Sequence, residues 1–176
     1  RREIMIRYIN EQKDRSSCGP IALANIVKWV TGKGNGHKLI ELFAKKLKKG
    51  RHEGVNTSAL DEVLRTLPIK TIITVVHPSI EKFDKYLTKG CIALIAYFYT
   101  EPNPKRAAGH YTICLKKTKY SAPSKYGYHG VHYQMINDNG NWAPKYMKEK
   151  LASSHIGPGE KYETGVWFLS RCKIPS

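Results

Sequence analysis

Acidic residues are scarce in this chain. Asp and Glu total 14 against 30 Lys and Arg, leaving a formal charge of +16 over 176 residues. Such a field favours acidic partners: nucleic acid, an anionic membrane surface or an acidic protein. A lysine-rich surface that serves only solubility accounts for the same imbalance. Nucleic acid is the less favoured partner, because neither zinc-finger spacing nor an aromatic RNA-binding signature is present. Cysteine is sparse as well. Cys18, Cys91, Cys114 and Cys172 contain no CxxC pair, which argues against a cysteine-rich zinc site. Cys91 and Cys114 lie in apolar, strand-like contexts suited to buried free thiols. The even count permits disulfides, yet the balance favours a reducing, cytoplasmic setting. Long apolar runs are missing too. The longest, Cys91 to Tyr99, has strand length and falls far short of the ~20 residues of a membrane span. Arg1 to Asn10 alternates charged and apolar residues, unlike a signal peptide.

An apolar fraction of 41% is that of a globular chain, and the length suits a single domain over residues 1–176. Arg7 to Ile9 suits a short strand. Cys18-Gly19-Pro20 then opens a helix to about Val30, with Ser16 or Ser17 as cap and Pro20 in the first turn. That helix is apolar on nearly every face, so it belongs inside the domain. Further helices are expected over Lys38 to Lys49, over Ser58 to Thr66 with a Ser58/Asp61 capping box, and over Ser79 to Lys89. Ile69 to Val76, Cys91 to Tyr99, Tyr111 to Lys117, Val131 to Ile136 and Gly165 to Ser170 read as strands. Helices dominate the first half and strands the second. The expected class is α+β, with an antiparallel sheet packed against helices. Thr100 to Ala108 and Lys119 to Gly130 read as loops, each preceding a strand with a candidate catalytic residue.

Cys18 carries the most chemical information. A thiol attacks as thiolate, and the free N–H groups and dipole of a helix N-terminus stabilise that anion. A nucleophilic cysteine needs a general base. Among seven histidines, His110 sits in Gly109-His110-Tyr111, where a strand end would hold the ring rigid beside a cleft. His37, His52, His129, His132 and His155 read as surface, and His77 as structural. The spacing of His129 and His132 is a weak metal signal, so neither metal nor organic cofactor is expected. The base needs an orienting partner, and Asn137, Asp138 and Asn139 are all available at the end of the strand Val131 to Ile136. Gln12, upstream of the cysteine, is a plausible side-chain donor to an oxyanion, beside the Cys18 N–H.

Gln12, Ser17-Cys18-Gly19-Pro20 opening a helix with Ala22 to Asn25, Gly109-His110-Tyr111, and Asp138 at a strand end together resemble the papain-like cysteine peptidases. The nearest resemblance is to the bacteriocin-processing, double-glycine-leader branch and its stand-alone relatives. Gly54-Val55-Asn56-Thr57-Ser58 resembles the stretch that borders the substrate cleft in that branch. The resemblance spans about Tyr8 to Trp167. It implies a papain-like fold, a helical lobe packed against an antiparallel β-sheet lobe with a cleft between. It also implies Cys18 as nucleophile, His110 as base, Asp138 as orienter and Gln12 as oxyanion donor. In the branch the aspartate is commonly followed by proline, where this chain has Asn139. Papain's own pattern, an asparagine three residues before a glycine, picks Asn137 instead. No membrane-spanning transporter accompanies the domain, so a double-glycine substrate is not implied. The expected activity is that of a thiol protease acting on a peptide or isopeptide bond, and an acidic protein substrate fits the basic charge. An acyl or amide transferase on the same Cys-His site, and a basic binding module for nucleic acid or an acidic protein, are the competing expectations. Oligomeric state is not legible in the sequence.

Overall fold

A computed structural model describes residues 6–12, 17–48, 55–88, 90–102, 105–123, 125, 127, 129–152, 154–155 and 161–171. Five helices are described: α1 (Cys18–Thr31), α2 (Gly36–Lys46), α3 (Thr57–Leu64), α4 (Ile80–Tyr86) and α5 (Pro144–Leu151). The strands are β1 (Ile69–Val76), β2 (Cys91–Pro102), β3 (Lys105–Tyr120), β4 (Gly130–Ile136), the short β5 (Ser154–His155) and β6 (Lys161–Tyr162), and β7 (Gly165–Arg171). Five strands form one antiparallel sheet in the order β1-β7-β2-β3-β4, and β5 pairs with β6 separately. The class is therefore α+β, as expected.

The period of two along β2 divides its side chains between two cores. Ile92, Leu94 and Ala96 join a cluster with Leu23, Ile26 and Phe43 of α1 and α2, and with Leu60 and Leu64 of α3. Ala93, Ile95 and Tyr97 face the other way, into a cluster with Phe83 of α4 and Met147 and Leu151 of α5. The sheet is thus covered on both faces rather than on one.

Local chemistry explains where the elements begin and end. Helix α1 is buried from Cys18 to Ile26, in keeping with its apolar residues on every face. It stops at Gly32, whose φ of 72° is left-handed. The expected capping box on α3 is not used. Asn56 is the N-cap, its side chain accepting from the Ala59 N–H at 2.8 Å. Asp61 instead accepts from the indole N–H of Trp167 at 2.9 Å and from Arg65 at 3.0 Å. Among the described residues, the expected strand at Arg7 to Ile9 pairs with no strand. Its backbone is held by a buried helix side chain: Asn25 Oδ1 accepts from the Ile9 N–H at 2.7 Å, and Asn25 Nδ2 donates to the Ile9 carbonyl at 3.0 Å. In the described part of the expected loop Thr100 to Ala108, β2 and β3 are paired instead, in register from Thr100–Ala107 to Pro102–Lys105. Lys119 and Tyr120 likewise extend β3. His132 is half-buried in β4 against the Tyr120 ring, not on the surface. Ser16, His52, Gly54 and Cys172 lie outside the described residues.

Candidate active site

The first helix delivers Cys18. Ser17, its N-cap residue, makes no side-chain capping hydrogen bond, and Pro20 has no N–H. Helix geometry leaves the Cys18 and Gly19 N–H groups without intrahelical acceptors, so they are donors for an anion beside the thiol. Gly19 is the residue that lets α1 approach the opposite wall. A Cβ there would stand 3.2 Å from Val55 Cβ and Cγ2. That wall is tied down from the sheet, where the Tyr111 hydroxyl donates to the Val55 carbonyl at 2.7 Å.

Strand β3 delivers His110, opposite Tyr97 of β2. Cys18 and His110 line one cleft of about 420 Å³, with Val55, Asn56 and Thr57 as the facing wall. The stretch expected to border a cleft therefore does so in its described part. Burial alone would lower the pKa of the imidazole. A hydrogen bond with Cys18, another with the Asn137 backbone and the nearby charges of Cys18 and Asp138 outweigh it, and the pKa is raised. The Cys18 charge, after burial, also raises the pKa of the Tyr111 phenol.

The ring is oriented by a group that neither sequence candidate supplies from its side chain. His110 Nε2 donates to the backbone carbonyl of Asn137 at 2.7 Å, which leaves Nδ1 as the nitrogen for the thiol. Asn137 follows β4 in a left-handed conformation, φ 58°, and is buried. Asparagine tolerates that conformation better than most residues. Its N–H donates to Asn10 Oδ1 at 3.1 Å, and its Nδ2 donates to Gln12 Oε1 at 3.1 Å. The pinned 6–12 segment and the β4 turn thus hold each other. With the oxygen of Gln12 engaged, the donor end of its amide is the nitrogen.

The Asp138 carboxylate stands 3.7 Å from His110 Nε2, beyond hydrogen-bond reach, and acts on the ring as a charge. Its own oxygens accept from the Tyr97 hydroxyl at 3.0 Å, the Trp142 indole at 3.1 Å and the Asn139 N–H at 2.8 Å. Only 4% of the side chain is exposed, so these donors are what make a carboxylate tenable there. Tyr97 serves twice, since its ring also meets the His110 ring edge-on at 5.6 Å.

All five residues singled out from the sequence converge on this region. Cys18 and His110 share one cleft. Gln12, Asn137 and Asp138 line a neighbouring one of about 550 Å³, to which His110 also contributes. Tyr97, Asn10, Trp142 and Lys150 were not foreseen. Only strand register reveals that Tyr97 lies across from His110, and Trp142 is placed by its backbone pairing with Tyr133, 2.7 and 3.0 Å. Among the described residues, no group of His, Cys, Asp or Glu is arranged to hold a metal ion, and no helix is long and apolar enough to cross a membrane. Neither a protein-family model nor a curated protein matches the chain.

Proposed function

We propose that the protein is a papain-like cysteine peptidase. One observation carries the reading. A cysteine at the N-terminus of a buried helix shares a cleft with a hydrogen-bonded histidine of raised pKa. A helix-borne nucleophile facing a strand-borne base across a cleft is what we take as papain-like in this α+β fold.

The chemistry follows from the positions. The Cys18 thiolate attacks the carbonyl carbon of a peptide or isopeptide bond. The Cys18 and Gly19 N–H groups and the Gln12 amide nitrogen are the donors for the oxyanion. The His110 imidazolium gives its proton to the leaving amine as the C–N bond breaks, and a thioester remains. His110, now neutral, takes a proton from water as it attacks; the carboxylic acid leaves and the Cys18 thiolate is restored beside the His110 imidazolium. Three described cysteines, Cys18, Cys91 and Cys114, are free, which suits a compartment that keeps thiols reduced.

The test is selective alkylation with iodoacetamide, read by peptide mass mapping, alongside cleavage of an unfolded protein substrate. Cys18 is expected to react first, and Cys18→Ala is expected to abolish cleavage. Faster labelling of Cys91 or Cys114, or full cleavage by Cys18→Ala, overturns the reading.

A further inference from the structure

The cleft of about 550 Å³ beyond His110 is not needed to form the thioester. It is lined by Asn137, whose carbonyl accepts from His110 Nε2, whereas Cys18 and the Val55 wall line the other cleft; His110 and Tyr97 are common to both. In a peptidase the base hands its proton to the leaving amine, so the chain attached to that amine lies on the side of the base away from the acyl group.

Lys150 lines this second cleft, together with Tyr97, Tyr99 and Tyr146. Its ammonium lies 4.8 Å from the centre of the Tyr97 ring and 5.1 Å from that of Tyr146. Those two ring faces hold the cation by its charge. Among the described residues, the ammonium makes neither a hydrogen bond nor an ion pair, and the three donors of the side chain are unspent. The Asp138 carboxylate, whose oxygens accept from Tyr97, Trp142 and Asn139, acts on the ammonium only as a nearby charge, as does Glu149.

We infer that this cleft is the leaving-group subsite and that Lys150, fixed between Tyr97 and Tyr146, selects a carboxylate there. The inference rests on the peptidase reading. Two sources supply the same chemistry: an acidic side chain just after the cleaved bond, or the terminal carboxylate of a short leaving fragment. The tyrosine faces accept the apolar part of either.

The experiment profiles cleavage of a random peptide library, synthesised once with free carboxyl ends and once with amide ends, by the wild type and by Lys150→Met. The wild type is expected to favour Glu or Asp over Gln or Asn after the cleaved bond by roughly tenfold, the scale of one charge-assisted contact. Lys150→Met is expected to lose that preference while keeping the acyl-side preference. Faster cleavage confined to free-carboxyl peptides near their ends assigns the terminal carboxylate as the source; a preference kept in the amide library assigns the side chain. Cys18-dependent cleavage with no acidic preference, or the same preference in Lys150→Met, overturns the inference and leaves the peptidase reading standing.

If no cleavage depends on Cys18, the peptidase reading fails, and binding decides about the cleft. Alanyl-glutamate and alanyl-glutamine are titrated against both proteins by NMR. Saturable binding of the glutamate dipeptide, lost in Lys150→Met, keeps the carboxylate site; equal or absent binding removes it.

Discussion

His110 is a buried base whose preference for the charged form comes from its neighbours. Burial lowers its pKa, while Cys18, the Asn137 carbonyl and Asp138 raise it, and the sum is upward. Removing Cys18 removes both the hydrogen bond and the charge that it supplies. In Cys18→Ala the His110 pKa is therefore expected to fall below its wild-type value, as read from imidazole shifts in an NMR pH titration. An unchanged or higher value would mean that the thiol is not its partner. The sign for stability follows from the same shift. A folded-state pKa above the unfolded value of ~6.5 gives stabilisation that is fully present below that pH. It is lost as pH rises through the higher folded value, and the Cys18→Ala change should shrink this window. At this scale the sequence was informative about identity and silent about bonding. Cysteine before an apolar helix and histidine at a strand entry are visible as residue types. That the imidazole proton goes to a backbone carbonyl is not, because every residue has a carbonyl and only the fold selects one.

The turn after β4 shows what an element contributes that its residues do not. Its left-handed Asn137 turns the carbonyl toward Nε2, and its side chain secures Gln12. These two duties are separable. Asn137→Gly keeps the left-handed backbone and should leave the His110 pKa raised, but it removes the Asn137 hydrogen bond to Gln12 and should lower kcat through the oxyanion. Asn137→Val places a β-branched residue at positive φ, a strain of about 1–3 kcal/mol, and should lose the raised pKa as well. Asp138→Asn keeps the carbonyl and removes only a charge at 3.7 Å, so its effect on the pKa should be smaller than that of Asn137→Val. NMR titration of the three variants, with kcat measured beside it, checks the order. Equal collapse in Asp138→Asn and Asn137→Val would return the orienting role to the carboxylate. The strand-ending character of Asn137-Asp138-Asn139-Gly140 was legible, since these are turn formers. The division of labour among them was not, because it depends on the 6–12 segment, distant in sequence, that Asn25 pins beside the turn.

Across the whole molecule, the site is assembled from both faces of one sheet. Cys18 belongs to the core shared with α1 to α3, whereas Tyr97 and Trp142 belong to the core under α4 and α5. The first face was readable, because its helices announce themselves as apolar stripes. The second was not. Pro144–Leu151 is lysine-rich and buries only Met147 and Leu151, too little periodic signal to mark a helix. That helix nevertheless presents Tyr146 and Lys150 to the second cleft. The two faces should fail differently. Leu23 in α1 is fully buried and Leu151 in α5 is 2% exposed, so truncating either to alanine should cost about 2–5 kcal/mol of stability in urea unfolding. Leu23→Ala loosens the helix that bears the nucleophile and should slow alkylation of Cys18 in the folded protein. Leu151→Ala loosens only the helix over the far core. Cys18 should then alkylate at nearly the wild-type rate, while peptide cleavage falls through a raised KM, since the leaving-group side is what has lost its support. Equal slowing of alkylation in both variants would mean that the sheet transmits the disturbance and that the two faces are one mechanical unit.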